Sequence, residues 1–498
     1  MAQMIGGGAE ASAWSFAFKI PNLCRRVFGE GLLAPILVPL ISQSLEKNGR
    51  ESTVKQFSVI FMWMALILCA VSVIVSCGAL VAMRFVHQEH FVLACQLIPL
   101  LMPYGIFICL VGIATSALNS FRIFFLPAVL NLLLNICMIV TLLWICPHFR
   151  DDSFWKLSSL AYAVLVSGIL ELILIFILMS AHHLRLILSW KNFIRIHIMK
   201  ELGGLMFPGL LGAMTYQLSV FIDDVIAMWI SSYAVSALAY SNRLINLPIG
   251  VFAMAFGTVS LPEMSGMAQR KEFSSLIETQ FFMLRSLLFL TVPLMSFMFL
   301  FHEELVRLFF YRGKFDLRAL YETSYALMFY TCGIPAFAAL KITLAGFYSR
   351  KEMKTPMLVG VACTILNLIL NLSLMIPLKQ GGLALSTAIC SYLNNLILLL
   401  ILQKQLGTRL PLKETACYFF ILLLISIPGL FPALECYRLL KGLSGVSRGF
   451  SLIPAMTGAA TVYSAIYLLI AVILNMGEIS ILRSAFTRVK KVRFPEKR

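Results

Sequence analysis

Charged residues are scarce in this chain, and their scarcity excludes most classes of soluble protein. Only 13% of its 498 residues are Asp, Glu, Lys or Arg, whereas an average soluble domain has about 25%. The sequence also contains no C-x-x-C pair and no H-E-x-x-H motif, so it carries no familiar cysteine or histidine metal signature. Its twelve cysteines stand singly, and we interpret them as small apolar packing residues.

Long apolar runs are what the chain has instead. Hydrophobic residues make up 60% of the sequence, and the runs are long enough to cross a hydrocarbon core of about 30 Å. The pattern predicts an all-α polytopic membrane protein with thirteen spans. We place them near 10–44, 56–84, 92–117, 123–147, 157–181, 203–230, 234–262, 276–301, 319–347, 355–377, 381–403, 415–432 and 453–476.

The net charge of +17 is distributed unevenly between the predicted loops. Lys and Arg are concentrated in alternate loops, on the same side as the basic tail 477–498. This positive-inside bias predicts that the C-terminus is cytoplasmic. We expect the tail to contact anionic membrane lipid, and we expect no nucleic-acid partner.

Two pairs of segments indicate an internal repeat. SAWSFAFKIPN at 12–22 matches SALAYSNRLIN at 236–246, and the segment from Ser120 to Pro127 matches that from Ser349 to Pro356. Six spans per repeat would give two lobes of parallel topology. Only residues 1–11 precede the first copy, so we expect the first lobe to lack its first helix. A shortened start and a true thirteen-span variant both fit this pattern.

Three cations and one anion interrupt the first apolar run, at Lys19, Arg25, Arg26 and Glu30. A basic residue at the bilayer centre costs about 2.5–3.5 kcal/mol on insertion scales. These cations are therefore predicted to face water or an anionic partner. Positions 19 and 26 share one face of a helix. The alternative is that some of them extend to the membrane surface.

Oxygen-bearing side chains form a second group of candidates. Asp223 and Asp224 lie in an otherwise uncharged span, Asn367 and Asn371 are one helical turn apart, and Thr387 is on the next span. Carboxylate, amide and hydroxyl oxygens suit a small hard cation. Asparagines that hydrogen-bond between packed helices would give the same pattern.

Four stretches resemble signatures of the MurJ-type (MviN) lipid II flippases of the multidrug/oligosaccharidyl-lipid/polysaccharide exporter superfamily. They are KIPNLCRRVFGEG, YSNRLINLPIGVFAMAFGTVSLPEMS, YRGKF and GFYSRKEMKTP. The resemblance implies two pseudo-symmetric six-helix lobes around a central cavity, plus two C-terminal helices. We expect the following domains: a truncated N-lobe at 1–181, an amphipathic basic linker at 182–202, a C-lobe at 203–406, two extra helices at 407–476, and the tail.

The same resemblance implies a function. Such a protein would move lipid II from the inner to the outer leaflet of the bacterial cytoplasmic membrane by ion-coupled alternating access. We expect a monomer. We also expect no enzymatic activity, because the sequence lacks the acidic metal-binding and His/Arg catalytic motifs that a membrane glycosyltransferase or lipid phosphatase needs. The family match gives Arg25 and Arg243 as the diphosphate-binding residues, followed by Lys19 and Arg26, with Glu30 as an ion-pair partner. A flippase for another lipid-linked glycan and a drug/cation antiporter are the alternatives.

The resemblance also implies a sodium site and no other cofactor. Its ligands would come from Asp223 or Asp224, Asn367, Asn371, Thr387 and the carbonyl of Leu383. The chain departs from the family pattern at two positions. Ser12 stands where an aspartate is usual, and the amide of Asn371 replaces a charge that some relatives carry.

Overall fold

The computed structural model describes residues 1–27, 33–121, 123, 125–130, 132–149, 152–182, 184, 217, 219–407, 409–444 and 449–478. Its regular secondary structure is helical, and no strand occurs in these ranges. The predicted all-α fold is therefore confirmed. The chain divides into two compact units, Met1–Ser236 and Ala237–Arg498.

The main helices of the first unit are α1 (Ala9–Cys24), α2 (Leu33–Ala82, broken at Gly49), α3 (Glu89–Ser120), α4 (132–149), α5 (Ser153–Ala181) and α6 (219–230). The unit is arranged around α3, which is apolar on all its faces and contacts α1, α2 and α5. A helix without a polar face is buried by its neighbours.

The main helices of the second unit are α7 (Ala234–Gln269), α8 (Phe273–Leu300), α9 (Leu317–Thr331), α10 (Ile334–Tyr348), α11 (Lys354–Leu406), α12 (Leu412–Ser444) and α13 (Ile453–Ile473). Helix α8 is the central element. It contacts α9, α10, α12 and α13, while α11 contacts α9 and α10.

Helix α11 is two helices joined at Lys379. This residue has φ 48° and ψ −133°, which interrupts the 53-residue helical run. The predicted spans 355–377 and 381–403 correspond to its two halves. Gly382 permits close packing at the break, because a Cβ there would lie 2.3 Å from the carbonyl oxygen of Leu374.

Two tyrosines attach α13 to α8. Pro293 lies inside α8 and has no N–H, so the carbonyl of Phe289 loses its usual helical donor. The hydroxyl of Tyr467 donates to that carbonyl at 2.8 Å, and the hydroxyl of Tyr463 donates to the carbonyl of Pro293 at 2.9 Å. Helix α13 therefore packs on α8 at a site that the proline creates.

The helices are numerous and apolar enough for a multi-pass membrane protein. Eight helices in the described ranges could cross a membrane, or nine if the pair α9 and α10, bent by 45°, forms one span. Helix α7, which covers the predicted span 234–262, is not among these eight. The predicted spans at 10–44 and 203–230 include residues outside the described ranges, so the total of thirteen stays a prediction.

The boundary between the compact units lies after the predicted linker. Helix α6 belongs to the first unit, where Phe221 stacks on Phe16 at 5.7 Å and His90 contacts the carbonyl of Met228 at 2.9 Å. Most of the linker 182–202 and residues 479–498 of the tail lie outside the described ranges. The predicted domain limits therefore remain a prediction.

Candidate functional site

Helix α1 presents an apolar face to α3 and holds the predicted cations on its remaining surface. Ala13 and Ala17 are fully buried, and a Cβ on Gly105 of α3 would lie 3.2 Å from the Cβ of Pro21. This close approach fixes the orientation of α1. Lys19 on this helix and Arg25 directly after its end are partly buried, and Arg26 is exposed.

Lys19 pairs with Asp224 of α6. The ammonium forms an ion pair with the Asp224 carboxylate and also donates to the carbonyl of Val220 at 3.4 Å. The side chain of Asp224 is 7% exposed and that of Lys19 is 32% exposed. A buried carboxylate without a cation would be strongly disfavoured. A predicted substrate-binding cation and a predicted sodium ligand thus neutralise one another.

Arg25 interacts electrostatically with Glu171 of α5. Glu171 is fully buried, and solvent reaches neither of its carboxylate oxygens. Our sequence analysis did not identify this residue. An acidic residue inside an apolar span is a functional candidate by default. The same rule identified Asp223 in the sequence, and it would also have identified Glu171.

A second buried pair joins the start of α1 to the start of α5, and the sequence analysis missed it as well. Lys156 forms an ion pair with Glu10, and the hydroxyl of Ser153 donates to the same carboxylate at 2.6 Å. Lys156 is almost completely buried. The pair fixes the N-terminal end of α1 against α5.

The other predicted cations have different surroundings. Arg26 donates to the side-chain oxygen of Gln217 at 3.4 Å. Arg243 of α7 is exposed, and its guanidinium carbon lies 5.6 Å from the centre of the Tyr240 ring. Glu30 lies outside the described residues. The predicted convergence of Arg25 and Arg243 on one diphosphate stays a prediction.

The two halves of α11 bring the predicted oxygen ligands of the second unit together. The amide of Asn371 donates to Asn367 Oδ1 at 3.0 Å, and the amide of Asn367 donates to Ser386 Oγ at 3.3 Å. Ser386 also contacts Asn371 Oδ1, and the hydroxyls of Ser386 and Thr387 each donate to the Leu383 carbonyl at 2.9 Å. Ser386 was not predicted.

This cluster agrees with a small hard cation in the type of its donors, which are amide, hydroxyl and carbonyl oxygens. In this structure Asn367, Asn371 and Ser386 hydrogen-bond to one another, as asparagines between packed helices do. Asp223 is buried in the first unit. No group of three or more His, Cys, Asp or Glu side chains suited to a metal occurs in the part of the chain that the structure describes.

Comparison with known proteins identifies the family. The family model described as "Lipid II flippase MurJ" matches residues 1–451. The chain is 29% identical over 416 residues to the "Lipid II flippase MurJ" of Burkholderia cenocepacia, covering 81% of this chain and 79% of that protein. It is 28% identical over 410 residues to the "Probable lipid II flippase MurJ" of Buchnera aphidicola, covering 80% and 78%.

Solved structures share the fold. A structure titled "Lipid II flippase MurJ, inward closed conformation" matches with a TM-score of 0.75 at 24% identity, covering 95% of both chains. An inward-facing multidrug resistance MATE transporter matches with a TM-score of 0.66 at 14% identity, covering 82% of this chain and 92% of that one. With residues 1–451 matched by the family model, the chain belongs to the lipid II flippase MurJ family.

Proposed function

We propose that this protein flips lipid II from the inner to the outer leaflet of the bacterial cytoplasmic membrane by alternating access. Membership of the MurJ family supports the proposal. The observation that carries it is the partly buried position of the Arg25 guanidinium within a unit built from apolar helices. The protein acts as a monomer with a cytoplasmic C-terminus, and it transports its substrate without chemical change.

The substrate explains why such cations are retained. Lipid II carries a diphosphate, and an unpaired anion of this kind would cost tens of kcal/mol to bury in hydrocarbon. Guanidinium groups match phosphate oxygens in bidentate geometry and remain charged. Arg25 and Arg243 therefore bind the diphosphate, while Lys19 and Arg26 add positive potential. A drug/cation antiporter would favour an acidic or apolar lining, so the cations argue against that alternative.

The proposal predicts that both arginines are needed for transport. In a strain depleted of the protein, lipid II should accumulate in the inner leaflet, and the intact chain should restore its outward movement. Arg25→Gln and Arg243→Gln should each lower the rate about 10–100-fold, because each removes a charge-assisted contact. The measurement is the amount of lipid II accessible at the outer leaflet.

Arg438→Gln is the matched control, since Arg438 lies at an exposed site and pairs with Glu435. It should transport at the wild-type rate. Membrane abundance of each variant is measured in parallel. Outward movement of lipid II that continues after full depletion would refute the proposed function, and wild-type rates in both arginine variants would refute the arginine roles.

Sodium is proposed as the coupling ion, held by the oxygens of Asn367, Asn371, Leu383 and Thr387 together with Asp223. When bound, it would link an ion gradient to transport. Sodium at ten times its Kd should stabilise the protein by about 1.4 kcal/mol, seen as a higher denaturation midpoint in sodium than in choline at equal ionic strength. Thr387→Val should lose this increase.

Ser373→Ala is the control for that experiment. Ser373 lies on the same half of α11 as Asn371 but is exposed, and its hydroxyl donates to the Ile369 carbonyl at 2.9 Å. It should keep the sodium response. Equal midpoints of the wild-type protein in sodium and choline would contradict the sodium proposal and leave the flippase proposal standing.

A further inference from the structure

The turns that follow α7 and α10 have the same sequence and the same backbone hydrogen bonds. Each reads Arg-Lys-Glu, at 270–272 and at 350–352. In each turn the lysine N–H donates to the carbonyl three residues back, at 3.2 Å for Lys271 and 2.9 Å for Lys351. The N–H of the following glutamate donates to the carbonyl five residues back, at 3.0 Å and 3.1 Å. Both helices therefore end in a Schellman motif.

The lysine of each turn occupies a backbone conformation that favours glycine. Lys271 has φ 61° and Lys351 has φ 59°, in the left-handed region that a Cβ disfavours. The residue that ends α11 is Gly407, with φ 64°. Helix α11 thus ends with the favoured residue, whereas α7 and α10 each end with a lysine at some cost in stability. Residues held in such conformations cluster at functional sites, so both lysines are candidates for a binding role.

Within each turn the arginine is paired and the lysine is not. Arg270 pairs with Glu272 at 2.9 Å, and Arg350 pairs with Glu352 at 3.2 Å. Neither lysine forms an ion pair with another residue that the structure describes. The glutamate of each turn therefore balances the arginine and leaves the lysine charge available for a ligand.

The two lysines line one open cavity of the second unit. Its volume is about 440 Å³, and it lies where the ends of α7, α10 and α11 meet the start of α8. Lys271, Arg350 and Lys351 contribute to its lining, and no Asp or Glu is among the described residues around it. Ser349 and Gln405 add polar groups. Lysine binds phosphate as a compact positive charge, so the cavity suits a phosphate group.

The surroundings of the cavity favour a lipid as the source of that phosphate. Two predicted spans separate the turns, so the positive-inside bias places both on the cytoplasmic side. Phe273 lines the cavity and is exposed, and Tyr348 and Met353, on either side of the second turn, are also exposed. Exposed apolar side chains beside cations match a molecule that carries acyl chains beside its phosphate. Anionic lipids of the cytoplasmic leaflet attract such basic sites.

We propose that this cavity binds the phosphate headgroup of an anionic phospholipid from the cytoplasmic leaflet, with Lys271 and Lys351 as its ligands. Arg350, held by Glu352, forms part of the wall. The headgroup links the ends of α7 and α10, because one phosphate contacts the lysines of both turns. The site uses none of the residues assigned to the diphosphate or to sodium, so the inference goes beyond the proposed function.

The test measures binding of short-chain phosphatidylglycerol to the purified full-length protein in detergent. Phosphatidylcholine, whose choline balances the phosphate charge, should bind more weakly. Lys271→Gln and Lys351→Gln should each weaken phosphatidylglycerol binding about fivefold, and together about 25-fold, because each removes one contact between a lysine and an anionic lipid. The double variant Lys354→Gln/Lys413→Gln removes the same charge from exposed lysines outside the cavity. It should bind like the wild type.

Glycine variants separate binding from folding. Glycine fits the left-handed conformation without strain, so Lys271→Gly/Lys351→Gly should unfold at the same denaturant concentration as the wild type or a higher one when no lipid is added. Its affinity for phosphatidylglycerol should nevertheless fall as far as that of the double Gln variant. Wild-type affinity in the double Gly variant would show that the lysines only end their helices, and this would overturn the inference.

Glycerol phosphate distinguishes a lipid from a soluble phosphate ester, because it has the headgroup without acyl chains. It should bind more weakly than phosphatidylglycerol. Equally tight, lysine-dependent binding of glycerol phosphate would overturn the lipid assignment. Equal phosphatidylglycerol affinity of the wild type and the double Gln variant would overturn the site. Neither result bears on the outward movement of lipid II, so the proposed function is tested separately.

Discussion

Lys19 and Asp224 show, at the scale of single residues, how this protein keeps a charge inside an apolar unit. The pair brings together α1 and α6, and each charge removes the cost of burying the other. Because Lys19 is about one-third exposed, the net contribution is smaller than for a completely buried pair.

The pair should be detectable as coupled losses of stability. Asp224→Asn and Lys19→Met should each lower the free energy of unfolding by about 1–3 kcal/mol, since each leaves a partner uncompensated. The double variant should lose less than the sum of the two. The measurement is the denaturation midpoint of the purified protein in detergent.

Glu414→Gln supplies the comparison. Glu414 pairs with Arg285 at 2.9 Å but is 73% exposed, so its removal should leave the midpoint nearly unchanged. Strictly additive losses in the Lys19/Asp224 cycle would show that the two residues act independently, and this would contradict the pairing.

The charged residues also show where inference from sequence stops. Spacing along one helix placed Lys19 and Arg26 on a common face, and the apolar context marked Asp224 as exceptional. Neither signal says which distant residue faces which, because that depends on how α1 packs against α5 and α6. The Asp224–Lys19 pair and the Arg25–Glu171 interaction were therefore unpredicted, although each residue alone could have been recognised.

At the scale of elements, the contact between α8 and α13 shows how a helix with a proline is stabilised. Pro293 leaves the Phe289 carbonyl without an amide donor, and the hydroxyl of Tyr467 takes that place. Apolar runs predicted both helices, as the spans 276–301 and 453–476. Apolar runs could not predict the hydrogen bond from Tyr467 to the Phe289 carbonyl, because composition does not reveal which helices become neighbours.

This contact leads to a prediction about two buried tyrosines. Tyr467→Phe should destabilise the protein by about 1–2 kcal/mol, because a buried carbonyl is left unsatisfied. Tyr437→Phe should be neutral or stabilising, since the buried Tyr437 hydroxyl has no hydrogen-bond partner within the described residues. Comparison of their denaturation midpoints checks this. Equal effects of the two changes would contradict the role given to Tyr467.

At the scale of the whole molecule, the distribution of basic residues predicts which loops face the cytoplasm. The loop 349–353 carries Arg350 and Lys351, whereas the loop 83–88 lies an odd number of predicted spans away. The positive-inside bias places the first of these loops in the cytoplasm and the second outside.

Epitope insertion can test this orientation. A short epitope in loop 83–88 should be accessible to antibody in intact spheroplasts, while the same epitope in loop 349–353 should become accessible only after permeabilisation. Loops of this kind tolerate insertion, and retained transport verifies that each tagged protein is folded. The opposite accessibility would reverse the assigned orientation, and accessibility of both loops would contradict the predicted number of spans between them.

The break in α11 has a consequence for biogenesis. Within Lys354–Leu406 the two halves meet at Lys379, and scarcely any polar linker separates them. The turn at Lys379 forms only after both halves have left the ribosome, because it needs residues from each of them. We therefore expect the translocon to release the pair together as a helical hairpin, with the Lys379 ammonium as the charge carried across at its tip.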